Sequence, residues 1–260
     1  MTIAAERWEG AGNTYLLVDG GLLPRAIDAH GAQAIHAALG GDGILEVRRD
    51  DRADVSMRIW NPDGSESEAC GNGTRMVARW LAEQTGKRDV RIATAAGILD
   101  CVVDGERISA RLAPARLDGP QYAPDANGFP YPHTFVSVGN PHVVIPVDDV
   151  DAFPLAIEGP VLERHPWFPE RANVEIVQAI DPHRVRMRVW ERGVGETQAC
   201  GTGACAAAVA AVQAGSAVSP VTVELPGGEL TIDVGDDGAV TMHGPARRVE
   251  QVRIPVALLG

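Results

Sequence analysis

Two cysteines occupy equivalent positions in a repeated segment of the sequence. Residues 55–73 and 185–203 align without a gap, and both copies end in Ala-Cys-Gly-x-Gly before an apolar stretch. Cys70 and Cys200 are therefore expected at the start of a helix, where the first-turn amides lack intrahelical partners and the helix dipole is positive. Such a position stabilises a thiolate and lowers its pKa from about 8.5 towards neutrality. Two such thiols on opposite sides of one stereocentre have the geometry of a two-base racemase or epimerase, in which one thiolate removes a proton and the other thiol returns one.

The glycines that follow each cysteine point to a second use of the same helix starts. They leave the backbone amides accessible, so an anionic group of a substrate can bind there. When a proton leaves the α-carbon of an amino acid, negative charge develops on the carboxylate, and amides from both loops are expected to stabilise it. The sequence has a single lysine, Lys87, and shows no metal-binding signature, so neither a pyridoxal cofactor nor a metal is expected.

The repeat extends beyond the cysteine loops to the elements that must position them. Each half is predicted to contain short strands around one helix that follows the cysteine, over residues 74–84 and in an alanine-rich segment that ends at residue 214. A further helix is predicted over residues 25–39. Residues 139–142 (Gly-Asn-Pro-His) take the place of residues 12–15 (Gly-Asn-Thr-Tyr). The predicted fold class is α+β, with two pseudo-symmetric mixed α/β domains and the active site in the cleft between them.

The length of 260 residues suits two domains of roughly 100–150 residues each. The first domain is expected to span residues 1–114, with a C-terminal strand from residues 250–260 returning to it. The second is expected to span residues 115–249. Residues 114–132 are rich in Pro, Gly and Asp, which indicates the crossing between the domains.

Composition limits the classes of function. A hydrophobic content of 45% and a charged content of 22% are typical of a globular protein. A net charge of −12 argues against a nucleic-acid partner or an anionic membrane surface. The N-terminal segment lacks the basic head and apolar core of a signal peptide, and the longest apolar stretch, residues 204–212, is too short for a membrane span. Four cysteines without a CxxC pair do not suggest a disulfide framework, so a cytoplasmic location is expected.

Several motifs resemble those of the diaminopimelate epimerase family. The double Cys-Gly-x-Gly loop is typical of a wider superfamily, whereas the segment Glu-Arg-Gly-Val-Gly-Glu-Thr at residues 191–197 is more specific to this family. The resemblance implies a homodimeric, cytoplasmic enzyme, independent of pyridoxal and metal, that converts LL- to meso-diaminopimelate on the lysine and peptidoglycan route. The other matching motifs are Asp63-Gly-Ser-Glu, Cys70-Gly-Asn-Gly-Thr-Arg, Gly139-Asn-Pro-His, Gly12-Asn13 and Asn173-Val174.

The resemblance also implies roles for individual residues. Cys70 and Cys200 match the catalytic acid and base, and His142 and Glu191 match positions that bind substrate or tune the thiols. Arg192 and Glu191 suit a substrate whose far end carries a carboxylate and an ammonium group. The other positions implied for substrate binding are Asn13, Asn61, Gly71, Asn72, Asn140, Asn173, Gly201 and Thr202.

The chain departs from the family pattern at two places. The family usually continues Gly-Asn with Asp-Phe, whereas this sequence has Thr14-Tyr15. Gly43 stands where some members have a glutamine that touches substrate. Both departures concern specificity rather than the cysteine pair, so an amino acid other than diaminopimelate stays open as the substrate.

Other functions compatible with the residues are a histidine or proline racemase with the same cysteine pair, a thiol redox switch that forms a Cys70–Cys200 disulfide, and a phosphate-binding module that uses the loops without the sulfurs. The first of these has less need for Arg192, and the last has no need for the thiols.

Plainer interpretations apply to several of the singled-out side chains. Cys101 and Cys205 are expected to be small buried hydrophobes, and Trp60 and Trp190 to be core residues. Polar residues have similar alternatives: asparagines cap turns, a histidine bonds the backbone of a turn, and arginines on helices are often solvated. These alternatives apply to Asn61, Asn173, His142, Arg75 and Arg79.

Overall fold

A computed structural model describes residues 1–68, 70–117 and 129–259. In these ranges the chain forms seventeen strands and four α-helices. The strands are β1 (Thr2–Gly10), β2 (Asn13–Asp19), β3 (Gly43–Arg48), β4 (Val55–Trp60), β5 (Glu66–Ser67), β6 (Asp89–Thr94), β7 (Gly97–Asp104), β8 (Arg107–Arg111), β9 (Thr134–Ser137), β10 (Pro141–Pro146), β11 (Asn173–Asp181), β12 (Arg184–Glu191), β13 (Gly195–Thr197), β14 (Val221–Leu225), β15 (Gly228–Val234), β16 (Val240–Gly244) and β17 (Arg247–Pro255). The helices are α1 (Ala29–Leu39), α2 (Gly71–Thr85), α3 (Leu155–Glu163) and α4 (Gly201–Gln213), with a 3₁₀-helix at Val256–Leu259.

The chain divides into two compact units. Unit 1 comprises Met1–Ala110 and Gly244–Gly260, and unit 2 comprises Arg111–His243. The expected boundaries, after residues 114 and 249, lie slightly further along the chain. The predicted crossing over residues 114–132 falls partly outside the described residues.

The two units repeat one pairing scheme. In unit 1, β2–β3 and β4–β6 are parallel pairs, whereas β3–β4, β4–β5 and β6–β7 are antiparallel. In unit 2, β10–β11 and β12–β14 are parallel, whereas β11–β12, β12–β13 and β14–β15 are antiparallel. The register repeats as well, because Ile44 faces Trp60 in unit 1 and Val174 faces Trp190 in unit 2. The predicted duplication and the mixed α/β class are confirmed.

Strand β1 has no counterpart in the sequence prediction. The buried apolar side chains of this strand are Ile3, Ala5 and Trp8, and a register shift between Arg7 and Trp8 breaks the alternation. The C-terminal strand expected in unit 1 is β17. It begins at Arg247 and pairs antiparallel with β1 along its whole length, from Thr2 opposite Pro255 to Glu9 opposite Arg247.

Capping residues fix where the helices begin. Helix α1 starts at Ala29, later than the predicted residue 25, because Asp28 Oδ1 accepts a hydrogen bond from Gly31 N at 2.8 Å. Helix α2 starts at Gly71, earlier than predicted, because Cys70 itself is the N-cap. Among the described residues, no helix has both the length and the apolar character needed to cross a bilayer.

Each unit encloses its cysteine-headed helix differently. Helix α2 buries Met76, Val77 and Leu81 and packs against β6, β7 and β1. Helix α4 is apolar on every face, and all its residues from the first glycine to Ala211 are buried among strands of its own unit. Trp60, with 4% of its surface exposed, lies in the unit 1 core as predicted, whereas Trp190 is half-buried at the edge of the unit 2 core.

Candidate active site

Cys70 lies at the N-terminus of α2 with its sulfur turned back over the first turn. The residue has extended backbone angles, and its Sγ accepts a hydrogen bond from Gly73 N at 3.2 Å. A Cβ at position 73 would lie 2.8 Å from Leu45 Cδ2 and 3.2 Å from this sulfur. Glycine is therefore required at position 73 for the amide to approach the thiol. On its other side the sulfur contacts the hydroxyl of Tyr15 at 3.4 Å.

A buried polar triad stands beside this thiol. Asn72 Nδ2 donates to Asn13 Oδ1 at 2.5 Å, and Arg75 Nη2 donates to Asn72 Oδ1 at 2.7 Å. Arg75 is completely buried, so the interpretation of this arginine as solvated is wrong. Its guanidinium also reaches the carbonyls of Gly71 at 3.4 Å and Pro245 at 3.5 Å. Arg75 thus fixes the orientation of Asn72 and, through it, of Asn13.

Asn61 occupies a different place in unit 1. It follows the last residue of β4, where its backbone N–H donates to Ser65 O at 2.8 Å and its Nδ2 donates to Ser65 Oγ at 3.0 Å. In this structure the side chain closes its own turn.

Cys200 repeats the arrangement in unit 2 but in a different electrostatic setting. It is the N-cap of α4, and its Sγ lies 3.4 Å from Gly203 N and 3.5 Å from Thr202 Oγ1. Burial raises the pKa of the Cys200 thiol well above its usual range, and the carboxylates of Glu191 and Glu175 add to the rise. The prediction that this thiol is shifted towards neutrality is wrong for this structure, because desolvation and two negative charges outweigh the helix terminus.

Glu191, at the end of β12, shares this setting. Desolvation raises the pKa of its carboxyl group, and the charge of Glu175 adds to the rise. Hydrogen bonds from Thr197 Oγ1 and from the Cys200 thiol act in the opposite direction. A carboxyl group and a thiol with raised pKa values are therefore in contact.

A buried hydrogen-bond chain runs from a carboxylate of β11 to the second thiol. His142 Nδ1 lies 2.7 Å from Glu175 Oε1, and both side chains are completely buried. His142 Nε2 lies 3.0 Å from Asn140 Oδ1, and Asn140 Nδ2 donates to Thr202 Oγ1 at 3.3 Å. Thr202 in turn contacts Cys200. The chain fixes the imidazole ring at both nitrogens, which a turn histidine bonded only to backbone would not be.

Asn173 and Arg192 lie near each other on neighbouring strand ends. Asn173 Oδ1 accepts from Arg192 N at 2.9 Å, and its Nδ2 donates to Pro141 O at 2.9 Å. The half-buried Arg192 guanidinium donates to Glu170 O at 3.2 Å. Asn173 thus joins the ends of β10 and β12 and orients the loop that carries Arg192.

The structure places the sequence-predicted residues in two sets, one in each unit. Within the described ranges, no three His, Cys, Asp or Glu side chains are arranged to hold a metal ion. Asn13, Asn61, Cys70, Gly71 and Asn72 belong to unit 1, and Asn140, His142, Asn173, Glu191, Arg192, Cys200, Gly201 and Thr202 belong to unit 2.

Comparison with known proteins identifies the family of the chain. A family model described as diaminopimelate epimerase matches residues 9–115 and 134–249, which cover most of both units. The chain belongs to the diaminopimelate epimerase family. It is 41% identical to the diaminopimelate epimerase of Pseudomonas fluorescens, over 98% of this chain and 99% of that protein. It is 43% identical to the diaminopimelate epimerase of Rhodospirillum centenum, over 92% and 88% of the two chains.

Solved structures show that the fold extends to more distant epimerases. A predicted epimerase from Pseudomonas aeruginosa superposes with a TM-score of 0.77 at 18% identity, over 97% of this chain and 99% of that one. A hydroxyproline epimerase from Agrobacterium vitis gives a TM-score of 0.71 at 16% identity, over 97% and 91%. This member of the diaminopimelate epimerase family therefore shares its fold with chains of very different sequence.

Three residues near the thiols were not assigned a role from the sequence. Glu175 holds His142, and Arg75 holds Asn72. Tyr15 touches Cys70, so the expectation that the departure at Thr14-Tyr15 does not concern the cysteine pair is wrong. The internal repeat contained a signal for Tyr15. Residues 12–15 align with residues 139–142, so Tyr15 occupies the position in the first repeat that His142 occupies in the second. No comparable signal existed for Glu175, since its equivalent in the first repeat is Leu45.

Proposed function

We propose that this protein epimerises LL-diaminopimelate to meso-diaminopimelate, with Cys70 and Cys200 as the two acid–base groups. The observation that carries the proposal is the repeated placement of a cysteine as the N-cap of a helix that begins Gly-x-Gly, in a chain whose two halves both match the family model. The proposed chemistry requires both sulfurs to reach the same α-carbon. The substrate is supported by the near-full-length relatives named diaminopimelate epimerase.

The proposed reaction moves two protons and no other atoms. One sulfur, as thiolate, accepts the α-proton of the substrate and becomes a thiol, while the C–H electron pair delocalises into the carboxylate. The other sulfur, as thiol, gives its proton to the opposite face of the same carbon and becomes a thiolate. Exchange with solvent restores the starting state. Amides of Gly71, Asn72, Gly201 and Thr202 lie in first helical turns and have no intrahelical partner by helix geometry, so they suit the carboxylate that carries the developing charge.

The two thiols enter this reaction from different environments. Cys200 is buried against two carboxyl groups and hydrogen bonds to Glu191, which favours the protonated thiol. Cys70 is only half-buried and accepts from the Gly73 amide. In the resting protein we therefore assign Cys200 as the proton donor and Cys70 as the base.

Recognition of the far end of the substrate is assigned to unit 2 loops. The half-buried Arg192 suits a distal carboxylate, and the loop is oriented by Asn173. A racemase for proline or histidine has no distal carboxylate to bind. Arg192→Leu should therefore raise KM for diaminopimelate strongly while leaving any action on smaller amino acids in place.

The decisive experiment follows hydrogen exchange in D₂O. The reduced protein is incubated with LL-diaminopimelate, and the α-proton signal and isomer ratio are measured. We expect loss of the signal together with formation of the meso isomer in the wild-type protein and in the Cys101→Ala control, since Cys101 is buried in β7. Both Cys70→Ala and Cys200→Ala should lose net epimerisation. Exchange with histidine or proline instead would reassign the substrate. No exchange with any amino acid tested would favour the thiol switch.

Assembly and location complete the proposal. The family resemblance supports a homodimer, which size-exclusion chromatography with light scattering would show as twice the chain mass of 27.5 kDa. Two-base thiol chemistry needs both sulfurs reduced, which supports a cytoplasmic location. Mild oxidation should therefore inactivate the protein, and a thiol reductant should restore its activity.

A further inference from the structure

The hydroxyl of Tyr15 lies against the sulfur of Cys70. Tyr15 lies on β2, is 8% exposed, and brings its Oη to 3.4 Å from Cys70 Sγ. The same sulfur accepts from Gly73 N at 3.2 Å. The thiol is therefore held between an amide of its own helix and a phenol from a neighbouring strand.

Gly43 makes room for the ring that carries this hydroxyl. It is the register partner of Tyr15 in the parallel pair β2–β3. A Cβ at position 43 would lie 2.8 Å from Tyr15 Cε1 and 2.5 Å from Trp60 O. The two departures from the family pattern, Tyr15 and Gly43, are thus parts of one arrangement, because the missing side chain at 43 provides the space that the tyrosine ring occupies.

The second repeat shows what this position does elsewhere in the chain. His142 is the register partner of Asn173 as Tyr15 is of Gly43, so Tyr15 and His142 are equivalent. His142 reaches Cys200 only through Asn140 and Thr202, and the hydroxyl that contacts that sulfur, at 3.5 Å, belongs to Thr202. Each sulfur therefore contacts an amide of its own helix and a hydroxyl, but the hydroxyl comes from a different element in each unit.

A phenol suits a sulfur that gains and loses a proton. When Cys70 is a thiol, its S–H can donate to the phenol oxygen, which lies 3.4 Å from the sulfur. When Cys70 is a thiolate, the O–H can rotate and donate to sulfur, and a hydrogen bond to a charged acceptor is stronger than one between neutral groups. The same contact thus survives both protonation states and favours the thiolate.

We propose that Tyr15 positions the sulfur of Cys70 and stabilises its thiolate, so that it sets the proton affinity of one of the two acid–base groups. This proposal rests on the proposed function for its catalytic meaning, but the contact itself makes a prediction that needs no substrate. In this chain the unit 1 thiol is tuned by a neutral phenol, and the unit 2 thiol by carboxyl groups.

The test compares wild-type protein with Tyr15→Phe, which removes one oxygen and keeps the ring. The rate of Cys70 alkylation by iodoacetamide is measured against pH, with the labelled peptide identified by mass spectrometry. We expect the midpoint of the profile to move to higher pH by about one unit, which lowers the rate about tenfold at a fixed pH below the midpoint. Tyr131→Phe is the matched control, because that phenol interacts with Glu158 and should leave the profile unchanged.

A second experiment should shift the midpoint of the alkylation profile in the opposite direction, and it keeps the phenol in contact with the sulfur. Replacing tyrosine by 3-fluorotyrosine makes the phenol a stronger donor and should move the midpoint to lower pH. The shift should vanish when Tyr15→Phe is made in the fluorinated protein. Thermal unfolding would show whether each variant is folded. An unchanged alkylation profile of a folded variant in either experiment would overturn the proposal.

Epimerase kinetics separate this proposal from the proposed function. With diaminopimelate as substrate, Tyr15→Phe should move the acid limb of the kcat/KM profile to higher pH by the same amount as the alkylation midpoint. An alkylation shift in a protein that acts on no diaminopimelate would uphold the role of Tyr15 and reject the proposed substrate. Epimerisation of diaminopimelate with unchanged alkylation and kcat/KM profiles would uphold the proposed substrate and reject the role of Tyr15.

Discussion

Glu175 of β11 and Leu45 of β3 occupy the same position in the two repeats, and each lies against the third residue of a cysteine-headed helix. A Cβ at Gly73 would lie 2.8 Å from Leu45 Cδ2, and one at Gly203 would lie 2.7 Å from Glu175 Oε1. The repeat thus conserves the shape of the helix start while replacing an apolar side chain by a carboxylate. The carboxylate is completely buried, and its one described hydrogen-bond partner is His142.

Glu175→Gln should therefore affect unit 2 in two ways. It removes the charge that contributes to the raised pKa of Cys200, and it weakens the hydrogen bond that orients His142. We expect a loss of about 1–3 kcal/mol in the free energy of unfolding, measured by urea titration, and at least a tenfold fall in kcat/KM. Glu196→Gln, in β13 and paired with Arg188, is the control. Equal behaviour of the two variants would contradict the assigned role.

Arg75→Met tests the triad beside Cys70. Methionine fills much of the same volume but cannot donate to Asn72, so a buried amide oxygen loses its partner and the asparagine pair loses its orientation. We expect unfolding free energy to fall by about 1–3 kcal/mol and KM for the substrate to rise. Arg79→Met, one turn further along the same helix, removes exposed contacts with Glu83 and with Gly105 O, so it should lower the unfolding free energy less and leave KM unchanged. A wild-type KM in Arg75→Met would show that the orientation of Asn72 is irrelevant to binding.

Glu191→Gln should make Cys200 more reactive before any substrate is added. The negative charge of Glu191 adds to the rise in the pKa of the Cys200 thiol, so its removal lowers that pKa and increases the thiolate fraction at a given pH. Labelling of Cys200 by a small methanethiosulfonate at pH 8 should be faster in the variant, while epimerase activity falls. Slower or unchanged labelling would mean that the charge of Glu191 does not control this thiol.

The buried thiol of Cys101 should lower the free energy of unfolding as the pH rises. Burial raises the pKa of its thiol to about 12, well above the value expected in an unfolded chain. The unfolded chain therefore releases this proton first as pH rises, so the stabilisation is complete below about pH 8.5 and is lost progressively towards pH 12. Urea titrations at pH 8, 9 and 10 should show unfolding free energy falling by up to about 1.4 kcal/mol per pH unit from this group. In Cys101→Ala the fall should be smaller, and identical slopes would refute the assignment.

The repeat made much of the molecule predictable from sequence. The position of Cys70 and Cys200 before Gly-x-Gly was sufficient to place both sulfurs at helix N-termini, because glycine-rich helix starts with a capping side chain have a local signature. Strands β3, β4, β11 and β12 were also predicted, from short segments rich in apolar and β-branched residues. Strand β1 did not, because small alanines and a register shift conceal its alternation.

The chemistry of each thiol was less predictable because it depends on residues far away in sequence. The raised pKa of Cys200 arises from burial and from carboxylates on β11 and β12, and a local helix-terminus argument includes neither. Arg75 is typical of a solvated helix position by residue type, and only the tertiary contacts with Asn72 and Pro245 explain its burial. Tyr15 departs from the family pattern, but its contact with Cys70 depends on the space at Gly43, which no sequence pattern expresses.

The pairing of β1 with β17 has a consequence for the order in which the two units fold during synthesis. Residue 2 faces residue 255, and Val256 N donates to Met1 O at 3.1 Å, so β1 is paired by a strand that follows all of unit 2 in the sequence. Unit 2 is continuous in sequence and can fold while the remainder emerges, whereas unit 1 must wait for the C-terminal residues. Removal of β17 would then expose the edge of β1, and a permuted chain in which β17 directly precedes β1 through a short linker would let unit 1 fold as one uninterrupted segment.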